Sequence, residues 1–448
     1  MKMFIDKSKK LIYLLLTLQT SFLFAQNKLI PNAESKPLSI DQMWANVIDN
    51  SRKIHLNTLE STIAEEEISE IKIERLPEIT LKGNYEYATN IPVYENGLFS
   101  KPTQHEVIHW LYKVSTDMYL NIYNGNKLNL KIDKKKTLSD IAKVQKDMTV
   151  SEIKLQGAIY YLSLQRSHIF KELMIKDIAN QEKQLLEIKA LYKNGVILKS
   201  DVLRVELKLS NQKMMLVKIE NDIAIANQKL NILIGLPDLE LVNPYQELDP
   251  ALFELQSYES YLEVAQKKSY DYHISEKTVD LRKIELKSTK ANVKPKIGMY
   301  GEFYLANPQI FLYPYSPSNY TLGIFGVRAS IPISELYINR PKVKVAQLNL
   351  EKEEVEHHHI DDKIRQQVYE NYLRFKESLI KIDVARNDVA QSTENARIVK
   401  QNYFNQAALI TDLLDADIQL LQSRFDFAST KIAAQIQYYQ LQNVLGTL

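Results

Sequence analysis

The chain has 448 residues, of which 25% are charged and 45% are hydrophobic. This balance is ordinary for a folded protein and argues against intrinsic disorder, and the length alone would allow two or three domains. There is no cysteine, so disulfides, a thiol nucleophile and a lipid-acceptor cysteine are all excluded. The formal net charge of +2 gives no reason to expect a nucleic-acid partner.

Residues 1–25 have the features of a cleavable signal peptide. A lysine-rich start precedes the apolar run Leu11–Phe24, and Ala25 followed by Gln26 offers a cleavage point. A signal anchor is the alternative, but the run is shorter than the roughly 20 residues that a spanning helix needs. We therefore expect export, with residues 26–38 forming a polar N-terminal segment.

The remaining chain contains one structural unit twice. The stretch YFNQAALITDLLDADIQLL, residues 403–421, matches YKNGVILKSDVLRVELKLS, residues 192–210, position for position. A second alignment without gaps pairs Ser39 with Ser257 and Pro77 with Pro295. Self-similarity of this kind predicts two repeats, 39–235 and 257–448, joined by a linker at 236–256.

Each repeat has the pattern helix, strand, strand, long helix, helix. The first repeat opens with a helix predicted to run from Ser39 to about Arg75. Alternating apolar and polar residues predict strands at about 78–88, 107–122, 296–306 and 320–333. No proline lies between Pro102 and Pro237 or after Pro341, and the pattern there predicts long helices at about 127–193, 199–234, 340–402 and 411–445. Apolar residues every seven positions in the last helix of each repeat indicate coiled-coil packing between antiparallel neighbours.

Four strands cannot close a barrel, which needs at least about eight. Two chains would give eight strands, whose interior side chains fill, whereas three would give twelve and leave a pore. The helical tracts, the longest roughly 100 Å, are too long for the strands to cover and would project as a tube.

This order of elements, given twice after a signal peptide, resembles the TolC family of outer-membrane efflux channels. The resemblance rests on LYKNGVILKSDVL, YFNQAALITDLLDA, the closing NVLGTL and the strand starts at Pro77 and Pro295. It implies a mainly α fold with a small β part that assembles as a homotrimer. A twelve-stranded β-barrel would sit in outer-membrane lipid, and a long α-helical barrel would cross the periplasm.

The resemblance also implies partners and a function. The channel would dock to a periplasmic adaptor and to an inner-membrane pump of the RND or ABC type. It would provide a passive exit for small molecules or polypeptides, with the substrate chosen by the pump. The competing interpretation is a soluble periplasmic coiled-coil adaptor, an interaction protein without a pore.

Asp412 and Asp415 are the candidate constriction of a periplasmic gate. Their spacing puts both carboxylates on one side of a helix, so a trimer would stack two acidic rings roughly 4.5 Å apart. Such rings favour cations. The alternative is that aspartates in a first helical turn only complement the helix dipole. The resemblance of ITDLLDA to the family's gate favours the constriction.

The resemblance further implies a latch in which Tyr403 bonds Asp201 and holds the tip closed. The alternative for Tyr403 is hydrophobic packing at a helix end. One position departs from the family, because the family's gate arginine falls at Ala408.

The strands carry two more candidate groups. Trp110, Tyr112, Tyr85 and Tyr87 fit a membrane-interface girdle, with plain strand packing as the alternative. Asp117 and Arg328 are expected to face the lumen, on the polar side of the strands, with Arg328 at the position equivalent to Asp117.

No catalytic or cofactor motif is recognisable. The sequence has no Walker loop, GxGxxG, GxSxG or HExxH. His357, His358 and His359 are consecutive, and consecutive helical residues point about 100° apart, so they cannot chelate one ion together. We therefore expect neither an enzyme nor a metal site, and no cofactor.

Overall fold

The computed structural model describes residues 36–245, 254–308 and 316–448. The predicted signal peptide and most of the N-terminal polar segment lie outside these residues. Within them, no helix has both the length and the apolar character needed to cross a membrane.

The described chain is mostly helical with a small strand part, as predicted. The first half of the described chain contains β1 (Lys36–Leu38), α1 (Ile40–Asn50), α2 (Arg52–Ile73), β2 (Glu78–Tyr87), β3 (Ile91–Val93), β4 (Thr103–His105), β5 (Trp110–Asn124), α3 (Lys127–Lys193) and α4 (Lys199–Ile234). The second contains β6 (Val242–Pro244), α5 (Tyr258–Lys268), α6 (Tyr270–Lys290), β7 (Lys296–Asn307), β8 (Tyr320–Ser330), α7 (Glu335–Phe404) and α8 (Ile410–Leu445).

The first helix of each repeat is broken by a serine, whereas the sequence pattern predicted one continuous helix from Ser39 to about Arg75. Ser51 has extended backbone angles, φ −70° and ψ 116°, and its hydroxyl accepts the Ile54 N–H at 3.4 Å. Ser269 makes the equivalent break between α5 and α6. A serine side chain that bonds nearby backbone N–H groups favours a new helix start over a continuous helix.

A glycine ends the last helix of each repeat and packs against this break. Gly235 and Gly446 have φ of +76° and +73°, the left-handed conformation that glycine adopts without strain. A Cβ on Gly235 would lie 2.7 Å from the side chain of Asn50, and one on Gly446 would collide with the carbonyl of Lys268. Asn50 and Lys268 end α1 and α5, so the two repeats make the same tertiary contact.

The main sheet has the strand order β2–β5–β7–β8, with every pair antiparallel. Its register puts Gly83 opposite Val114, Val114 opposite Leu305 and Leu305 opposite Thr321. The apolar side of each strand therefore falls on one face of the sheet, and the polar side on the other.

The N-terminal segment and the linker form a small sheet of their own. β1 and β6 are parallel, with Lys36 opposite Val242. Met43, Val47, Tyr161, Leu230 and Ile234 belong to the hydrophobic core beside this pair. Residues 36–38 and 242–244 thus have regular structure where the sequence suggested only a polar segment and a linker.

The helices form two rows that share their longest members. Next to the sheet the order of contacts is α2–α3–α6–α7, and farther away it is α4–α3–α8–α7. α2 leads into β2, and β8 leads into α7. One side of the chain is therefore formed by the outer strand β2 and the outer helices α2 and α4. The other side is formed by the outer strand β8 and the helix α7.

Candidate gate and pore-lining residues

The tip is the end of the molecule formed by the turns 194–198 and 405–409 and the helix ends that they join. Gly195 and Gln406 occupy equivalent places in the two turns and both have positive φ, +74° and +61°. The α3–α4 hairpin and the α7–α8 hairpin pack together here through one apolar cluster. Its buried members are Ile188, Val202, Val205, Tyr403, Ile410 and Leu413.

Asp412 and Asp415 are both exposed at the start of α8. The carboxylate of Asp412 accepts the backbone N–H of Leu409 at 3.0 Å, which stabilises the helix start. Asp415 lines a groove between α4 and α8 together with Arg204 and Lys208. Asp412 therefore bonds the start of α8, in the first turn where the alternative interpretation has it complement the helix dipole, while Asp415 faces a groove that also contains cationic side chains.

Tyr403 is buried in the tip cluster, with 6% of its surface exposed. Among the described residues its hydroxyl has no hydrogen-bond partner, so the bond expected with Asp201 is not formed. Burial, and then the nearby negative charge of Asp201, raise the pKa of the phenol. The contact that the structure does show for Tyr403 is hydrophobic packing.

Ala408 packs against the same apolar cluster. Its methyl side chain can make neither a hydrogen bond nor an ion pair. The tip therefore has an apolar contact at the position where the family resemblance would place a gate arginine.

A polar network that the sequence patterns did not reveal lies farther along the hairpins. Lys208 Nζ is 3.2 Å from Asp417 Oδ2, and Gln181 Nε2 donates to the same oxygen at 2.9 Å. Gln212 donates to Asp177. Burial lowers the pKa of Lys208 and raises that of Asp177.

The signal that could have revealed this network is the placement of its glutamines. Gln181 on α3 and Gln212 on α4 are both buried. Buried polar side chains require partners. A polar residue at an inward-facing helical position therefore indicates a partner on a neighbouring helix.

The four candidate girdle residues are brought together at the end of the sheet farthest from the helices. Tyr85 lies opposite Tyr112 and Tyr87 opposite Trp110. The Tyr85 and Trp110 rings are stacked at 5.5 Å, and Tyr87 meets Trp110 edge-on at 4.9 Å. Tyr85, Tyr87 and Trp110 are exposed, so this aromatic patch does not belong to an internal core of the single chain.

Asp117 and Arg328 lie on the polar face of the sheet but are not side by side. Asp117 is opposite Glu302 and forms an ion pair with Lys82 at 2.6 Å. Arg328 is opposite Gly298, and its guanidinium lies 4.8 Å from the Tyr300 ring centre. The positional equivalence expected from the sequence therefore does not bring the two charges together.

The histidine tract lies on α7, where His357 packs against α6. Its Nδ1 is 2.7 Å from the Ser275 hydroxyl, and its ring centre is 4.9 Å from that of Tyr272. In the part of the chain that the structure describes, no group of three or more histidine and acidic side chains is placed to hold a metal ion.

Comparison with solved structures identifies the fold. At the sequence level, neither a protein-family model nor a curated protein matches the chain. The outer-membrane channel OprN superposes with a TM-score of 0.75 at 13% identity, covering 91% of this chain and 90% of OprN. CusC, whose structures concern transmembrane channel formation, has a TM-score of 0.77 at 13% identity, with 91% and 92% covered.

The outer-membrane protein VceC of Vibrio cholerae is similar to the same extent. Its TM-score is 0.74 at 13% identity, and the match covers 91% of this chain and 96% of VceC. The expectation drawn from the repeated motifs is therefore confirmed at the level of the fold: this chain has the fold of the TolC-family outer-membrane channels.

Proposed function

We propose that this chain is one subunit of a homotrimeric exit channel that spans the outer membrane and extends into the periplasm. The observation that carries the proposal is the continuous open edge on each side of the chain. One side consists of β2, α2 and α4, and the other of β8 and α7. Unpaired strand edges are not tolerated in lipid, so copies of the chain must pair these edges.

Exposed apolar side chains on the outer helices support the same arrangement. α4 exposes Leu203, Leu207 and Met214, and the tip half of α7 exposes Ile380, Val384 and Ile398. Contiguous exposed apolar surface marks a protein or membrane contact. A ring of chains in which α4 of one copy meets α7 of the next would cover both stripes.

Three copies fit these requirements best. The described sheet contributes four strands per chain, so a trimer supplies twelve, enough for an open pore, whereas a dimer supplies the eight that side chains fill. The apolar face of the sheet would contact lipid. Its exposed members include Ile79, Leu81, Val114, Phe303, Phe325 and Val327.

The aromatic patch would lie at the membrane interface. Tyr85, Tyr87, Trp110 and Tyr112 occupy the end of the sheet away from the helices, which would be the outer surface. Tyrosine and tryptophan are enriched at both interfaces of outer-membrane barrels.

The lumen of the barrel would be a poor site for charge selection. Asp117 is paired with Lys82, and Lys113 is paired with Glu302 at 2.5 Å. Arg328 lies over an aromatic ring. With these charges largely balanced, we place ion selection at the tip.

The tip would be the gate. In a trimer, the exposed Asp412 and Asp415 would form two acidic rings where the α8 helices converge, and such rings admit cations in preference to anions. Tyr403, held in the apolar cluster near Asp201, would be the latch between the two hairpins. It would act by packing, because its hydroxyl makes no hydrogen bond in the described chain.

The channel would work passively with partners. The sequence contains no nucleotide-binding loop, so energy and substrate choice would come from an inner-membrane pump of the RND or ABC type. A periplasmic adaptor would connect that pump to the tip.

Fractionation of cells that express the full chain tests the proposal. We expect the protein in outer-membrane detergent extracts, as a species about three times the mass of the chain that persists on mild heating. Recovery as a soluble monomer or dimer from the periplasm would contradict a membrane channel and would favour the soluble coiled-coil adaptor.

A further inference from the structure

The ion pair between Lys208 and Asp417 joins the two helical hairpins. Lys208 is on α4 and Asp417 is on α8, and their side chains are only 9% and 17% exposed. Among the ion pairs of the described residues, this is the least exposed. An ion pair of such low exposure is costly to break, because either charge would then be buried without its partner.

Groups on two helices, α3 and α8, support the pair. Gln181 on α3 donates to Asp417, and Lys208 also donates to the carbonyl of Leu414 at 3.3 Å. Asp177 on α3 adds a second negative charge that acts on Lys208, as does Asp415 on α8. The network therefore connects α3 and α4 of one hairpin with α8 of the other.

The side chain of Lys208 bridges a gap between the two hairpins. A groove of about 470 Å³ separates α4 from α8 at this level and is lined by both helices. α3 lies between α4 and α8 in the order of helix contacts. Any swing of α8 relative to α4 would change the width of the groove and separate Lys208 from Asp417.

The turns at the tip supply little polar attachment of their own. The Tyr403 hydroxyl makes no hydrogen bond within the described chain, and Ala408 has no polar side-chain atom. Lys208 and Asp417 lie seven and five residues beyond the gate positions Asp201 and Asp412, which is one to two helical turns. They are close enough to the gate for their separation to accompany its opening.

We propose that Lys208 and Asp417 form a tie that holds the tip closed, in place of an arginine at position 408. This inference rests on the proposed channel function and names two residues that position its gate. Opening the tip would require the pair to separate, so loss of either charge shifts the equilibrium towards the open state.

Planar-bilayer recordings of the purified full chain test the tie. Lys208→Met keeps most of the stem but removes the charge, and Asp417→Asn is isosteric. We expect each to raise the time-averaged current roughly tenfold, because the closed tip loses a buried charge pair. Lys208→Arg, which keeps the charge, should stay near the wild type.

The matched control is Lys213→Met. Lys213 is also on α4, and it pairs with Glu182 of α3 at 2.7 Å, but that pair is exposed and remains within one hairpin. Its loss should leave the current unchanged. The exchanged pair Lys208→Glu with Asp417→Lys should bring the current back towards the wild-type value, whereas Lys208→Glu alone should not.

The recordings distinguish a failure of the proposed Lys208–Asp417 tie from a failure of the proposed channel function. If the wild-type protein conducts and both Asp417→Asn and Lys208→Glu are indistinguishable from it, the tie is overturned and the channel remains intact. Protein that forms no channel either as the wild type or with Asp412, Asp415 and Lys208 substituted overturns the proposed function itself. If Lys208→Met fails to give a heat-resistant trimer, Asp417→Asn and the exchanged pair still decide the question.

Discussion

Asp415 is a cleaner probe of the proposed gate than Asp412. Asp412 caps α8 through the N–H of Leu409, so its removal would disturb the helix start as well as the charge. Asparagine keeps a side-chain oxygen that can accept the same N–H. Substitution by asparagine at both positions therefore changes charge with little effect on structure.

We expect Asp415→Asn to lower the ratio of cation to anion permeability by roughly twofold or more, because a trimer would lose three negative charges at its narrowest point. Asp412→Asn should act in the same direction. Reversal potentials in a salt gradient measure the ratio. Asp117→Asn is the control, since that carboxylate already has a lysine partner. An unchanged ratio in the double variant would remove these residues from the gate.

Tyr403 should act through its ring rather than its hydroxyl. Tyr403→Phe keeps the ring and removes a hydroxyl that has no hydrogen-bond partner in the described chain, so we expect a change in stability within about 1 kcal/mol. Tyr403→Ala removes the buried ring and should cost about 3–5 kcal/mol.

Thermal unfolding and bilayer current together measure both effects. The alanine variant should melt earlier and conduct more than the wild type, and the phenylalanine variant should match the wild type. If Tyr403→Phe conducts as much as Tyr403→Ala, the hydroxyl forms a closing bond in the trimer, and the packing interpretation of the latch is wrong.

The limits of the helices and strands show which sequence signals are enough to predict where an element begins and ends. The predicted helix over 127–193 has those limits in the structure, since no proline interrupts it and Asn194-Gly195 ends it. Strand limits lie within a few residues of the predicted ones, because two-residue alternation persists for most of each strand.

Other features depend on contacts that the local pattern does not encode. Ser51 looks like any polar residue on a helix surface, but its hydroxyl starts a new helix. β1 and β6 pair over a long separation in the chain. Lys208 and Asp417 are likewise far apart in sequence, and each alone resembles a solvated charge. These features become visible only once the helices are placed side by side.

Gly235 ends α4 and packs against Asn50, which lies just before the helix break at Ser51. Substitution of Gly235 tests how much this contact contributes to stability. Alanine there would be strained by the positive φ and would also press on Asn50, so we expect a loss of about 1–3 kcal/mol. Gly195→Ala is the matched control. Its φ of +74° is as unfavourable, but a Cβ there would meet nothing within 4 Å.

Denaturant unfolding of the detergent-solubilised protein compares the two variants. The loss at Gly235 should exceed that at Gly195, and the difference measures the contact with Asn50. Equal losses would show that the contact contributes nothing beyond the backbone strain.

For the whole molecule, the open edges of the sheet and of the helix rows are the basis of the proposed assembly. One chain presents β2 with α2 and α4 on one side and β8 with α7 on the other, so each copy can bind the next in the same orientation. A head-to-tail interface of this kind closes into a ring when the rotation fits. Pairing β2 with β8 of a neighbour would satisfy the open strand edges and cover the apolar helix stripes together.

The central claim is that this ring encloses a pore that is narrowed by acidic side chains at its periplasmic tip. Single-channel conductance of the purified wild-type protein in a planar bilayer tests it most directly. We expect discrete, cation-preferring channels that are open for a small fraction of the time. A protein that inserts as a trimer but leaves the bilayer non-conducting under every applied voltage, even with Asp412, Asp415 and Lys208 substituted, would contradict it.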